Sequence, residues 1–88
     1  MTATEKIMKV ECVEPFYYGK RLKAQIICYN VDGVKMYKVI LYKHKMEVYK
    51  QKTFFDFRIK SDEYIKQNEL YTKAYNYAMD YLNNICVY

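Results

Sequence analysis

The residues of this sequence that could do chemistry are lysines and tyrosines interleaved at close spacing. Lysine can neutralise phosphates, and a tyrosine ring can stack on a base or a sugar. The pattern occurs in Tyr17-Tyr18-Gly19-Lys20-Arg21, Lys35-Met36-Tyr37-Lys38 and Tyr42-Lys43-His44-Lys45. It predicts a binding surface made of Tyr17, Tyr18, Lys20, Arg21, Lys23, Lys35, Tyr37, Lys38, Tyr42, Lys43 and Lys45.

The charge is unevenly distributed along the chain. Residues 16–60 carry eleven basic and three acidic residues, a balance of +8, whereas residues 61–88 carry two basic and four acidic residues. This asymmetry favours an anionic partner, which is DNA, RNA or a nucleoprotein. Only Arg21 and Arg58 can read a base edge in the bidentate manner of arginine, so the expected binding is led by the backbone and is weakly sequence-specific. Alternatively, the lysines only solubilise an open sheet and the tyrosines only favour strands.

Nothing in the sequence predicts catalysis. His44 is the only histidine and stands between two lysines, and no nucleophile elbow, phosphate-binding loop or zinc motif is present. The three cysteines form no Cys-x-x-Cys pair, so we expect a protein that is not an enzyme and uses no metal or cofactor. Cys12 and Cys28 lie on apolar faces of predicted strands, which favours buried thiols and a reducing, cytoplasmic compartment. The apolar runs are too short for a signal peptide or a membrane span, so we expect no membrane among the partners.

The elements that must position these residues follow from hydropathy and turn signals. Alternation predicts strands, Pro15 is expected to end the first of them, and Asn30-Val31-Asp32-Gly33 is typical of a hairpin. Ser61 is the expected N-cap of a long helix. The prediction is one α+β domain over residues 1–88, an antiparallel sheet of three to five strands with the helix on one face. The expected strands are 7–13, 21–30, 34–43 and 46–59, and the expected helix is 62–84.

The predicted helix carries an apolar stripe at spacings of three and four residues. The expected core positions are Tyr71, Tyr75, Ala78 and Leu82. Leu70 and Tyr77 flank the stripe and are expected to form an exposed patch. That patch could be a seam between two copies of the chain or a contact with another protein.

Two kinds of protein fit these features. In outline, the strands with their Val31-Asp32-Gly33 hairpin and the following helix resemble the AP2-like arm-binding domains of phage-type integrases, which would imply a sheet in the DNA major groove. Here Arg58-Ile59-Lys60-Ser61 replaces the family's aromatic and Thr-Lys lead into the helix. The alternative is a virus- or mobile-element-encoded inhibitor of a host defence protein, such as an anti-CRISPR protein. Such an inhibitor acts through exposed aromatic residues rather than through chemistry.

Overall fold

Four antiparallel strands and one long helix make up the fold in the computed structural model, which describes residues 8–60 and 62–86. The strands pair in chain order, so that each strand neighbours the next. This confirms the predicted α+β class, with a sheet followed by a C-terminal helix. The elements are β1 (Met8–Tyr18), β2 (Arg21–Val31), β3 (Val34–Tyr42), a short 3₁₀ turn (His44–Met46), β4 (Val48–Phe55) and α1 (Tyr64–Cys86).

The predicted hairpin between β2 and β3 is confirmed. A two-residue turn of Asp32 and Gly33 joins the strands, and both residues have positive φ, at 52° and 86°. The Gly33 N–H donates a hydrogen bond of 2.8 Å to the Asn30 side-chain oxygen. Positive φ at both turn positions matches the right-handed twist of the paired strands, which explains why Asp-Gly stands here.

Two strand ends differ by several residues from those predicted. Strand β1 continues through Pro15 to Tyr18, because β1 is an edge strand and a sheet tolerates proline at its edge. Strand β4 stops at Phe55, because Asp56 begins a turn in which its carbonyl accepts a bond from the Ile59 N–H. The expected cap Ser61 lies outside the described residues.

Helix α1 begins two residues later than expected, at Tyr64. The Glu63 carboxylate accepts a hydrogen bond of 2.9 Å from the Lys60 N–H just before the helix. Gln67 is buried in the first turn, and its side-chain amide donates to the Lys60 carbonyl at 2.9 Å. These bonds join the loop to the helix and satisfy the polar end of Gln67.

The core lies between α1 and one face of the sheet. Small side chains on the helix, Ala74 and Ala78, are fully buried and let its backbone approach the sheet closely. Val39 is also fully buried, at the centre of β3. The buried apolar residues are Phe16, Ala24, Ile26, Cys28, Tyr37, Val39, Leu41, Ala74, Ala78 and Leu82. Among the described residues, no helix combines the length and apolar character needed to cross a membrane.

The margins of this core differ from the sequence-based expectation. Ala78 and Leu82 are buried as predicted, but Tyr75 is 38% exposed because it leans towards edge strand β1, where its ring lies 5.6 Å from that of Phe16. Cys12 is exposed on the same edge strand, whereas Cys28 on central strand β2 is buried as predicted. Apolar character alone therefore does not decide burial at the margin of the core next to β1.

Candidate anion-binding site

The antiparallel order brings two distant loops to the same end of the sheet. The β1–β2 turn and the start of β2 supply Lys20, Arg21 and Lys23, and the β3–β4 connection supplies Lys43 and Lys45. We call these five residues the basic end. Together with Tyr17, Leu22 and Met46 they line an open cavity of about 570 Å³. The cavity is therefore lined by both charged and apolar side chains.

The backbone at the basic end adopts special conformations. Gly19 has a φ of 65° in the β1–β2 turn, and an extra residue in β2 shifts the pairing register between Phe16 and Tyr17. In the second loop, Lys45 and Met46 follow one another with φ near 64°, which is a left-handed conformation that costs about 1 kcal/mol or more for each such residue. The Lys43 N–H closes this loop with a 2.7 Å bond to the Glu47 carbonyl. Both loops are thus held in defined shapes.

Within the described part of the chain, the basic charges at this end have no carboxylate partners. Across residues 8–60 and 62–86, the salt bridges are Lys35 to Glu11, Arg58 to Asp56 and Lys66 to Glu63, and none of them reaches the basic end. The pairing of Arg58 with Asp56 lowers the pKa of that carboxyl to about 2, through side-chain and backbone hydrogen bonds. The free positive charge of the described residues is therefore concentrated at the basic end and along β4.

A row of lysines and aromatic rings extends the basic end along β4. The ammonium groups of Lys43 and Lys50 each lie 5.8 Å from the centre of the Tyr49 ring. Tyr49 stacks in turn on Tyr81 of α1, with ring centres 5.7 Å apart. Farther along, Lys52 lies 5.1 Å from the Phe54 ring. Contacts of a cation with a ring face fix the position of the charge without neutralising it.

Lys50 and Lys52 were not among the binding residues predicted from the sequence. The signal was present, because Tyr49-Lys50-Gln51-Lys52 repeats the interleaving seen in the other three segments. One extra residue, Tyr49, lies between the pairs Leu41–Lys50 and Tyr42–Val48. This bulge turns Tyr49 towards α1 and breaks the alternation that a pattern search follows.

The structure brings six of the predicted binding residues together and separates others from them. Tyr18 borders a second opening beside the β1–β2 turn. Lys35 lies at the opposite end of the sheet, 3.7 Å from Glu11. Tyr37 is only 6% exposed beneath α1, so its expected role in binding is corrected to a role in the core. The six that meet are Tyr17, Lys20, Arg21, Lys23, Lys43 and Lys45.

A basic sheet surface was predicted from the sequence, but the side of the sheet away from α1 is apolar. Lys38 is the one charged residue at the paired positions that point away from the helix, and Tyr42 lies on the same side. We call the part of this surface between the pairs Val31–Val34 and Tyr17–Leu22, which lie next to the turns, the open face. Its apolar members are Val10, Val13, Ile27, Tyr29, Met36, Ile40, Tyr42, Val48 and Phe55, and its other members are Pro15, Gln25, Lys38, Gln51 and Thr53.

The helix patch expected at Leu70 and Tyr77 is half-buried instead of exposed. Both side chains pack against the core on the β4 side, and the Tyr77 ring meets that of Phe54 edge-on at 5.8 Å. Among the described side chains of α1, the most exposed apolar ones are in its first turn, where Tyr64 is 74% and Ile65 80% exposed. A helix of this length covers the sheet with its middle and extends past it at the N-terminal end.

No grouping of metal ligands occurs among residues 8–60 and 62–86. The side chain of His44 lies outside what the structure describes. No family model matches the chain, and no curated protein or solved structure matches it either. The resemblance to AP2-like domains is therefore limited to the order of strands, hairpin and helix.

Proposed function

We propose that the protein binds the sugar-phosphate backbone of nucleic acid through the basic end, without chemical change in either molecule. The observation that carries this proposal is the convergence of five basic side chains, from two separate segments of the chain, around one open cavity, with no carboxylate of the described residues paired to them. Lysine and arginine tips at such a surface replace the counterions that surround phosphates.

The row along β4 lengthens the path available to a phosphate chain. With Lys50 and Lys52, seven basic side chains lie on one continuous route. If all seven contact phosphates, the logarithm of the duplex affinity should fall with the logarithm of salt concentration with a slope of about −6. Because six of the seven are lysines, the contacts select for phosphate spacing and carry little base sequence information.

Exposed tyrosines beside the lysines favour unpaired strands. Tyr17, Tyr18 and Tyr49 are 59%, 48% and 46% exposed, and each adjoins at least one basic residue of the route. Aromatic rings stack on unpaired bases but cannot reach the stacked bases of a duplex. We therefore expect single-stranded DNA and RNA to bind at least as tightly as a duplex of equal length.

The test is a salt series of fluorescence anisotropy titrations with labelled duplex DNA, single-stranded DNA and single-stranded RNA. A triple variant, Lys20→Gln, Lys43→Gln and Lys45→Gln, should reduce the salt slope by about two to three units, because each lost phosphate contact removes about one. The matched control removes three charges elsewhere, with Lys35→Gln, Lys66→Gln and Lys73→Gln, and should leave the slope almost unchanged.

Two results would contradict the proposal. The first is the absence of binding to all three nucleic acids at low salt. The second is an equal loss of slope in the control, which would mean that only net charge matters.

The open face favours a second candidate function, a host-directed inhibitor that occupies a protein surface through exposed apolar and aromatic residues. Such an interface concentrates its energy in a few anchors. In an alanine scan of partner binding, single changes on the open face such as Tyr42→Ala or Phe55→Ala would then cost about 2 kcal/mol or more, while single lysine changes would cost little. A graded loss across the lysines with little effect from these open-face residues favours nucleic acid.

A further inference from the structure

The open face resembles one half of a protein core. Nine of its fourteen residues are apolar, and one, Lys38, is charged. Val13 and Phe55 remain 51% and 49% exposed, and Ile27, Met36 and Ile40 are half-buried. A surface depleted of charge and enriched in aromatic residues and methionine is typical of the centre of a protein interface.

The open face is large enough for a specific interface. Four strands about 4.8 Å apart, each about eight residues long at about 3.3 Å per residue, span roughly 500 Å² of flat area, and alternate residues of each strand point to this side. The accessible surface of a face covered with side chains exceeds its flat area, which brings it near the roughly 800 Å² that each partner buries in a standard interface. Exposed apolar patches of monomeric proteins rarely reach that size.

The edges of the sheet are protected, although the open face is not. Edge strand β1 carries Pro15 and a bulge at Glu11, and edge strand β4 carries Lys50, Lys52 and the bulge at Tyr49. Proline, lysine and bulges at an edge are the features that prevent strands of different molecules from pairing. Association through an added strand is therefore disfavoured, and the open face remains as the apolar contact surface of the sheet.

The charge pattern favours a second copy as the occupant. The basic end, which would attract an anionic partner, lies beyond the edge of the open face, so an acidic protein gains little by covering the face itself. Lys38 pairs with Thr53 on edge strand β4. Its ammonium can reach solvent across that short side chain while its methylene groups stay on the face. A self-complementary apolar surface needs no opposite charge.

We propose that two copies of this chain pack their open faces together about a two-fold axis, giving a four-layer dimer of helix, sheet, sheet and helix. An axis perpendicular to the strands holds the two basic ends at opposite ends of the dimer, which keeps their charges apart. The proposal does not rest on nucleic-acid binding, because none of the five basic residues belongs to the open face, although Tyr17 and Leu22, which line their cavity, continue the same side of the sheet.

The test is the mass of the protein in solution without nucleic acid, measured by light scattering and sedimentation over a wide range of concentration. We expect twice the chain mass of 10.8 kDa. Val13→Glu should raise the dissociation constant roughly a hundredfold or more, because a two-fold interface buries the unpaired carboxylate twice. The matched control is Ile65→Glu on α1, which makes the same kind of change at an exposed position off the face and should remain dimeric.

A wild-type chain that stays at 10.8 kDa at every concentration overturns the proposal and leaves the open face to a different protein. A dimer that persists in Val13→Glu, or that dissociates in Ile65→Glu, also overturns it. Circular dichroism establishes that each variant is folded. If Val13→Glu does not fold, Phe55→Gln at the other side of the face provides the same test without a buried charge and should also weaken the dimer.

Discussion

Alkaline pH should destabilise this protein by ionising two side chains that the fold holds neutral beneath α1. Burial, with Cys12 nearby, raises the pKa of the Cys28 thiol from 9.0 to about 11. Burial, with Cys28 nearby, raises the pKa of Tyr37 from 10.0 to about 12. Both residues lie on the central strands of the sheet and are less than a tenth exposed, so solvent screens neither charge effectively.

The sign of the effect follows from the raised values. A group whose pKa is higher in the folded state holds its proton more tightly there, so its contribution to stability is complete below the unfolded pKa. That contribution is lost from about pH 9 to pH 11 for Cys28 and from about pH 10 to pH 12 for Tyr37. From pH 8 to pH 10, Cys28 alone should remove about 1 kcal/mol of the free energy of unfolding. A domain of 88 residues has about 4–13 kcal/mol in total, so this loss is measurable.

The assay is urea unfolding followed by circular dichroism at about pH 8, 9 and 10. Cys28→Val keeps the side-chain volume and removes the ionisable group, so its free energy of unfolding should fall by about 1 kcal/mol less than that of the wild type. The control Cys12→Val removes an exposed thiol and should keep most of the loss. A wild-type stability that is constant over this range, or an equal loss in Cys28→Val, would refute the assignment of the effect to the buried thiol.

Two further predictions concern the parts of the fold that position the basic end and the open face. Val39→Ala removes two methyl groups from a fully buried site in β3 and should lower the free energy of unfolding by about 2–3 kcal/mol; a loss below about 1 kcal/mol would mean that α1 does not pack tightly there. Gly33→Ala places a Cβ at a φ of 86° and should cost about 1–2 kcal/mol in the same urea assay, although no atom lies within 4 Å of that Cβ. An unchanged stability would show that the hairpin turn relaxes to another conformation.

The sequence was sufficient for the elements that depend on local signals. The Asp32-Gly33 turn, the strands on either side of it and most of α1 follow from turn chemistry and periodicity. The sequence was insufficient to predict which side of β3 faces α1, because both sides of that strand are apolar. Tyr37 points to the core and Tyr42 to the open face. Hydropathy cannot choose between two apolar sides, and that ambiguity itself reflects the apolar character of the open face.

The location of the charge depended on topology rather than on sequence pattern. Lys20 and Lys43 are far apart in the chain and become neighbours because the antiparallel order places both loops at one end of the sheet. Composition predicted a basic sheet region, but alternation could not show that most of its charge lies in turns and along an edge. The same limit applies to Lys52, whose neighbour Tyr77 comes from α1.

The large number of tyrosines has two separate physical causes. Tyr71 and Tyr81 stand at the margins between α1 and the sheet, where their hydroxyls donate hydrogen bonds to the Glu14 carboxylate and the Tyr42 carbonyl. The margin of a helix in a small domain is partly exposed to solvent. Tyrosine suits this position because one end of its side chain is apolar and the other is polar. Those residues are explained by folding alone. The exposed rings beside the lysines, such as Tyr17, make no such bond among the described residues, so they are the tyrosines for which a binding role provides the physical reason.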